Sequence, residues 1–178
     1  TRNPHGYKGR GVALFFSSEL GDVADGATVI ARDPGGRYLI VQCKIYNRNT
    51  VFVVAHADNE SDTQQEEFYN RLHAAMPTYS TDVDYYFMMD ANNVANWLQD
   101  HRDCNGTGGG NLRHPKGVAA MQDWLRAYQV TDAFRHCWPN KREYTRDHKE
   151  HDRIMHQRRL DRIYVSTRVA TTQACPVL

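Results

Sequence analysis

The sequence lacks several features that identify a protein class directly. No apolar run approaches the roughly 20 residues of a membrane span, and no signal-peptide pattern is visible. The four cysteines form no CxxC pair, which argues against a structural zinc site and against a dense disulfide framework. We therefore expect free or buried thiols in an intracellular protein of the nucleus or cytoplasm, with no membrane partner and no obligate protein partner.

The chain also lacks a marked excess of charge. It has 22 Lys and Arg against 21 Asp and Glu, a formal net charge of +1, which argues neither for nor against a polyanionic partner. The charges are unevenly distributed, because residues 135–168 are rich in Arg, Lys and His while residues 22–33 and 58–67 are acidic. The length of 178 residues, with 40% hydrophobic residues, predicts one globular domain spanning 1–178.

Two polar stretches lack the motif that would give them a defined chemistry. The glycine-rich residues 106–110 are not followed by the Lys-Ser/Thr of a phosphate-binding loop, so we interpret them as a flexible loop. Residues 148–156 contain His148, His151, Asp152 and His156 but no HExxH pattern. We interpret the second stretch as a solvated basic loop that touches phosphates.

The first third of the chain predicts strands. Residues 11–16 are apolar and predict a buried strand. Residues 27–33 and 37–46 are apolar and β-branched, and the Asp-Pro-Gly-Gly between them predicts a hairpin. A turn at 47–49 leads into a third strand at 50–57, which completes an antiparallel meander.

The rest of the chain alternates between helical and strand patterns. A helix is predicted from a cap at Ser61 or Asp62 to Pro77, followed by a short, fully buried strand over residues 84–90. An amphipathic helix follows over 118–128, then a short turn or helical piece, and a last strand at 159–166. This order predicts a mixed α/β or α+β layered domain.

The strand predicted at 84–90 ends in a polar cluster. Asp90, Asn92 and Asn93 lie at its C-terminal end, where α/β proteins often place ligand sites. Asp90 is suited to bind a divalent cation or orient a water, and Asn92 to donate to a phosphate oxygen. Asp and Asn are also good turn residues, and residue type alone favours that alternative.

Two further residues are candidates. Asp161 interrupts an otherwise apolar stretch, and a buried acid needs a partner. It either orients a histidine or a water, or forms a salt bridge with Arg159 or Arg162. His56 lies just beyond a strand end, where it is suited to bind phosphate or donate a proton. A surface histidine without a role is the alternative, and the sequence alone favours it.

Several segments in this order resemble the endonuclease/exonuclease/phosphatase superfamily, which has the deoxyribonuclease-I-like fold. The segments are "GRGVALFF", "DPGGRYLIVQCKI" with "TVFVVAHADN", "FMMDANNV", and "VTDAFRHCWPNKREYT" with "RRLDRIYVS". The resemblance extends from residue 11 to about residue 169 and looks closest to the endonuclease domains of LINE-type retrotransposons. It implies a four-layer αββα sandwich of two mixed, mostly antiparallel sheets, incomplete here.

The resemblance implies a role for each candidate residue. Asp90 matches the aspartate that works at the metal and the attacking water. Asn92 matches the asparagine that contacts the scissile phosphate or a metal, and Asp161 the aspartate that orients a catalytic histidine. His56 stands where many members have a tyrosine near the scissile phosphate, and Asn59 is expected to be structural. The implied activity is Mg²⁺-dependent (or Mn²⁺-dependent) phosphodiester hydrolysis, with DNA as the favoured substrate.

Two alternatives stay open at this point. One is a phosphatase of the same fold that acts on a lipid or sugar phosphate. The other is a degenerate, non-catalytic domain that binds nucleic acid. In each nucleic-acid case the basic side chains are expected to follow the phosphate backbone. These side chains are Arg142, Arg146, Lys149, Arg153 and Arg158.

The chain also departs from the family pattern. The family begins with strands that carry an asparagine and a metal-binding glutamate, but Asn3 and Glu19 lie in the wrong context. The family's C-terminal "SDH" element would fall just past Leu178, and Met89 replaces a small glycine. Because catalytic groups act as a unit, we expect little or no nuclease activity from these residues alone.

Overall fold

The computed structural model of the protein describes residues 11–21, 26–103 and 114–172. Its strands are β1 (Thr28–Arg32), β2 (Tyr38–Ile45), β3 (Arg48–His56), β4 (Val83–Asp90), β5 (His101–Asp103), β6 (Val130–Asp132), β7 (Arg146–Glu150), β8 (Arg153–Arg158) and β9 (Asp161–Ser166). Its helices are α1 (Asp62–Ala75), α2 (Trp97–Asp100), α3 (Pro115–Ala127), α4 (Ala133–Cys137) and α5 (Thr167–Thr172), with a 3-10 turn at Ser18–Leu20.

The described strands form two sheets. The larger has six strands in the order β1-β2-β3-β4-β9-β6, and the smaller has three in the order β5-β8-β7. Only β3 and β4 pair in parallel, and α1 connects them, as a parallel pair requires a crossover. The remaining pairs are antiparallel. The predicted mixed α/β fold with two sheets is confirmed.

Tight turns join the meander β1-β2-β3 as predicted. At the first turn, Gly36 adopts a φ of 75° and its N–H donates to the carbonyl of Asp33 at 2.9 Å. The second turn lies at Tyr46 and Asn47, one residue before the predicted position, and both have positive φ. Two consecutive positive φ values match the right-handed twist of paired strands.

Helices α1 and α3 cover one face of the larger sheet. The hydroxyl of Ser61 caps α1 by accepting from the N–H of Gln64 at 3.1 Å, and Pro115 occupies the first position of α3, where its missing N–H costs nothing. The core lies between these helices and the sheet, and in it the rings of Phe87 and Trp124 stack with their centroids 4.5 Å apart. The apolar stripes predicted for both helices therefore face the sheet.

The opposite face of the larger sheet is only partly covered by the described residues. Phe52 stacks on Tyr86 at 5.3 Å and receives the edge of Phe16 at 5.8 Å. Ile163 on this face remains 53% exposed. The prediction that the strand ending at Asp90 is fully buried is therefore wrong, because Tyr86, Met88 and Asp90 on this face are only half-buried.

The predicted strand at residues 11–16 is wrong. These residues have no regular secondary structure, and Phe15 is 89% exposed. Alternate side chains of the segment are half-buried, which is how Phe16 reaches Phe52. A strand also needs a neighbour to pair with, and the described residues provide none here.

The predicted basic loop at 148–156 is also wrong, because these residues lie in the hairpin β7–β8. Its turn residues His151 and Asp152 have φ values of 47° and 61°. The strands are polar on both faces, so they show no apolar alternation that would reveal a strand. The register places His148 directly opposite His156.

The cysteines differ from one another. Cys43 is a buried free thiol, whereas Cys137 is disulfide-bonded. The expectation of free thiols throughout is therefore wrong at Cys137. Asn3, Cys104, Cys175 and the glycine-rich loop at 106–110 also lie outside the described residues. In the segments that the structure describes, no helix combines the length and apolarity needed to cross a bilayer.

Candidate active site

Three candidate residues meet at one end of the larger sheet. His56 ends β3, Asp90 ends β4 and Asp161 begins β9. The strand register pairs His56 with Asp90 and Asp90 with Asp161. Directly paired residues project from the same face of a sheet, with Cβ atoms roughly 5 Å apart. The three side chains therefore form a row, called the site row below, on the face away from α1 and α3.

Asp90 is the centre of the site row. Its Oδ2 lies 3.7 Å from Nε2 of His56, and its Oδ1 accepts a hydrogen bond from the N–H of Asn92 at 3.0 Å. The side chains of His56 and Asp90 are 44% and 30% exposed. Such a solvated ion pair contributes little to stability. A substrate or cation can therefore reach both groups without first breaking a buried interaction.

Asn92 is fixed by the backbone of the neighbouring strand end. Its φ of 47° is left-handed, and its Nδ2 donates to the carbonyl of Ala57 at 2.8 Å. One N–H of the Asn92 amide is therefore left for the predicted donation to a phosphate. Among the described residues, no donor bonds Oδ1 of Asn92, so an amide oxygen is also available beside Asp90.

Asp161 does not form the salt bridge considered from the sequence. It is exposed, whereas Arg159 and Arg162 point inward and are buried. Alternation along β9 explains the direction of Arg162, since neighbouring residues face opposite sides of the sheet. Arg159 precedes β9 and donates instead to Asp100 and Asp132. The backbone N–H of Asp161 donates to Oγ1 of Thr145 at 3.1 Å. Its carboxylate forms no ion pair with any described residue and adds a second solvent-facing acid to the site row.

A buried amide on α1 holds the two loops that follow β3 and β4. Gln65 is fully buried, and its Nε2 donates to the carbonyls of Asp58 at 2.9 Å and Asn92 at 3.2 Å. Its Oε1 accepts from Nδ2 of Asn93 at 3.3 Å. Gln65 belongs to no motif that the sequence singles out, but a polar residue on the apolar stripe of a helix is a signal that could have identified it.

Tyr69 supports the same loop by donating its hydroxyl to the carbonyl of Ala91 at 3.0 Å. Burial, more than any neighbouring group, raises the pKa of Tyr69. The hydroxyl therefore remains a hydrogen-bond donor throughout the physiological pH range.

Arg37 fixes the end of β3. Its Nη1 donates to the carbonyls of His56 at 3.4 Å and Ala57 at 3.3 Å, and its Nη2 lies 3.0 Å from Oδ2 of Asp58. Arg37 is buried, so this guanidinium is a structural support rather than a ligand-binding group.

Buried arginines fix the loop after β4 from the other side. Arg162 donates from Nη1 to Oδ1 of Asn93 at 2.9 Å and from Nη2 to the carbonyl of Asn93 at 2.8 Å. Asp100, which is 1% exposed, accepts from Arg159 at 2.9 Å and from Arg135 at 2.5 Å. Burial opposes ionisation of Asp100, but the hydrogen bonds from Arg159 and Arg135 outweigh it and lower the pKa of the carboxyl.

The donor set of the site row is small for a metal centre. In the described residues, no group of three or more His, Cys, Asp or Glu side chains is arranged to hold a metal ion. The site row offers the carboxylates of Asp90 and Asp161, with the amide oxygen of Asn92 beside them. Mg²⁺ is commonly bound by one or two carboxylates together with water and substrate phosphates. These residues therefore fit an open magnesium-type site but not a closed protein cage.

Comparison with solved structures identifies the fold. The chain is similar to an AP endonuclease, LMAP, from Leishmania major, with a TM-score of 0.54 and 13% identity over 84% of this chain and 56% of that one. It is also similar to D. rerio TDP2 in complex with a single-strand DNA product, with a TM-score of 0.50 and 14% identity over 79% and 51%. The endonuclease domain of TRAS1, a telomere-specific non-LTR retrotransposon, matches with a TM-score of 0.49 and 13% identity over 80% and 57%.

No family model and no curated protein matches the sequence. The chain spans between 51% and 57% of the length of these solved chains. The structural likeness shows that the chain has the deoxyribonuclease-I-like fold, as its motifs predicted. At this level of identity the likeness establishes the fold alone, so the roles of the site-row residues remain predictions.

Proposed function

We propose that the chain is a metal-dependent phosphodiester hydrolase domain of endonuclease type. Its proposed substrate is nucleic acid, with DNA favoured over RNA. The observation that supports this proposal is the site row. Two carboxylates and an imidazole lie side by side at adjacent strand ends, on an open face, in a fold shared with an AP endonuclease. The order and spacing of the motifs support a LINE-type retroelement origin.

The proposal gives each residue a role. Asp90 and Asn92 hold Mg²⁺ or Mn²⁺ through oxygen atoms, and Asp161 provides the neighbouring carboxylate. When bound, the cation neutralises charge that develops on the phosphate. Asp90 also orients the attacking water. His56, 3.7 Å from Asp90, donates to a phosphate oxygen when protonated.

The hairpin β7–β8 and the segment before it provide the surface for the backbone of a nucleic acid. Arg142, Arg146, Lys149 and Arg153 are all exposed there. Arg158 is half-buried and lines a cavity instead. Contacts between exposed cations and phosphates release counterions, so we expect binding to weaken steeply as the salt concentration rises.

A non-catalytic nucleic-acid-binding domain is the second candidate. The small donor set of the site row favours it, as does the use of the Asn92 amide to hold Ala57. A phosphatase that acts on a lipid or sugar phosphate differs from the proposed nuclease in substrate, and from the non-catalytic domain in having a hydrolytic activity.

The test uses protein expressed from the full reading frame that encodes the chain. We expect Mg²⁺-dependent nicking of supercoiled plasmid, abolished by EDTA and reduced about 100-fold or more in Asp90→Ala and Asp161→Ala. Asp82→Ala is the matched control, because Asp82 is exposed just before the opposite end of β4. Nicking that survives Asp90→Ala contradicts the proposal.

The same preparation separates the alternatives. Phosphate release from small esters without plasmid nicking identifies a phosphatase. DNA binding without turnover of either substrate identifies the non-catalytic domain.

A further inference from the structure

A cavity of about 440 Å³ lies beside the site row, between the loop after β4, helix α3 and the hairpin β7–β8. It adjoins the site row at Asn92 and at Leu160, the residue before Asp161. The described residues that line it are Asn59, Asn92, Asn93, Val94, Trp97, His114, Val118, Arg146, His148, His156, Arg158 and Leu160. The hydrolase proposal assigns no role to this cavity.

The lining has the chemistry of an anion site. Among its described residues are two arginines and three histidines but no Asp or Glu. The guanidinium of Arg146 forms no ion pair with a carboxylate in the part of the chain that the structure describes. Nε2 of His148 lies 3.5 Å from Oε1 of Glu150, which is exposed. A guanidinium group that has no carboxylate partner, with imidazole groups beside it, favours a phosphate, which accepts several charge-assisted hydrogen bonds.

A second ring lies behind the lining of the cavity. His101 is buried there, with its ring 4.0 Å from that of Trp97 and 5.7 Å from that of His156. Burial, followed by the charges of Arg158 and His156, lowers the pKa of His101, and the charge of Asp103 opposes this shift.

Two polar atoms of the lining have unmet hydrogen bonds. Nε1 of Trp97 and Nδ1 of His156 are buried and bond to no described residue. A buried polar group without a partner costs free energy, and a ligand with polar atoms in the cavity would recover part of that cost. The flat ring of Trp97, backed by His101, provides a wall against which a planar group can lie.

We propose that this cavity binds a nucleoside phosphate monoester. Its phosphate lies against Arg146, His148 and His156, and its base lies along Trp97. The volume is in the range of small-molecule sites and exceeds what a bare phosphate fills. A free nucleotide and a phosphate-terminated strand end share this chemistry. The proposal is independent of the hydrolase proposal, because it needs neither a metal nor the carboxylates of the site row.

The test is isothermal titration calorimetry of the chain in EDTA at low salt. We expect dAMP to bind about tenfold or more tightly than deoxyadenosine or inorganic phosphate, because each lacks one of the two recognised groups. Arg146→Ala should weaken dAMP binding about tenfold or more. Arg102→Ala is the matched control, an exposed arginine on β5 of the same sheet that does not line the cavity, and it should leave dAMP binding unchanged.

Two further measurements complete the design. Short oligonucleotides with and without a 5′-phosphate identify the source of the ligand, since a strand-end site prefers the phosphorylated oligonucleotide over dAMP and a free-nucleotide site prefers dAMP. Asp90→Ala should keep full dAMP affinity in EDTA. Loss of dAMP binding in Asp90→Ala places the ligand on the site row and overturns this proposal while leaving the hydrolase proposal intact. Equal losses in Arg146→Ala and Arg102→Ala, equal affinity for deoxyadenosine, or no dAMP binding also overturn it.

Discussion

Asp90 uses its two carboxylate oxygens differently. Oδ1 holds the N–H of Asn92 and shapes the loop, while Oδ2 faces His56. One side chain therefore both terminates a strand and points a charged oxygen toward the open face. The turn-residue interpretation and the ligand interpretation of Asp90, which the sequence sets against each other, are compatible in the structure.

Asn92 provides a prediction at the residue scale. Asn92→Ala removes the hydrogen bond to the carbonyl of Ala57 and places alanine at a φ of 47°. Asparagine tolerates the left-handed region better than alanine. We expect a loss of about 2–3 kcal/mol in the free energy of unfolding, combining a hydrogen bond with backbone strain.

Urea denaturation measures this loss. Asn92→Gly is the matched variant, since it also lacks the side-chain bond but adopts positive φ without strain. It should recover about 1 kcal/mol relative to Asn92→Ala. Equal stability of the two variants would show that the backbone conformation of residue 92 does not contribute.

At the scale of elements, the sequence predicts those turns, caps and helices that depend on a few neighbouring residues. The hairpin around Asp33, the Ser61 cap and the apolar stripe of α3 each follow from a few neighbouring residues. The hairpin β7–β8 was not predictable in this way, because its strands are polar and exposed. The segment 11–16 has the apolar composition of a strand but no pairing partner among the described residues.

The candidate site could be predicted only in part. Strand ends and residue types single out His56, Asp90 and Asp161. Their alignment depends on a parallel pair and an antiparallel pair with defined registers, and those registers follow from tertiary packing. The sequence also suggests Arg159 and Arg162 as partners of Asp161. The pleat of β9 turns Arg162 away from it, and the tertiary contacts of Arg159 with Asp100 and Asp132 draw that side chain inward.

Gly117 provides a prediction for the contact between α1 and α3. A Cβ at this position would lie 2.3 Å from Oε1 and 2.8 Å from Cβ of Gln65. Gly117→Ala would therefore push α3 away from the amide that holds the loops after β3 and β4. We expect a net loss of about 1–3 kcal/mol, larger than the gain in helix propensity.

The measurement is again the free energy of unfolding in urea. Gly21→Ala is the control, since a Cβ there meets nothing within 4 Å and its φ is −51°. A Gly117→Ala variant as stable as the Gly21→Ala variant would contradict the close packing of the two helices.

Asp100 provides a prediction about pH. It is 1% exposed and anchors α2 to Arg135 and Arg159. Because the folded pKa lies below the ordinary value of 3.8, this carboxylate stabilises the fold fully at neutral pH. The stabilisation is lost as the pH falls below that value and through the folded pKa.

We expect Asp100→Asn to lose about 3 kcal/mol or more at pH 7, because the buried guanidinium groups lose their counter-charge. The difference from the wild type should shrink as the pH falls below about 3.8. Asp123→Asn, at an exposed pair with Arg126, should change stability little. A difference between Asp100→Asn and wild type that does not depend on pH would contradict the assignment.

At the scale of the whole molecule, a near-neutral chain separates its charges. The formal net charge is +1, yet the site row carries two carboxylates while the adjoining cavity has no described acid in its lining. The proposed cation-binding site row and the proposed anion-binding cavity therefore lie side by side. This arrangement suits a substrate that brings both a metal-bound phosphate and a second phosphate group.

The central claim is that the site row binds a divalent cation, and Mn²⁺ titration followed by NMR tests it most directly. Mn²⁺ broadens the signals of nearby nuclei, so substoichiometric Mn²⁺ should selectively broaden the backbone amide signals of His56, Asp90, Asn92 and Asp161. Excess Mg²⁺ should reverse the broadening, and Asp90→Asn should abolish it. Broadening that is absent from these residues, or that persists unchanged in Asp90→Asn, would contradict the claim.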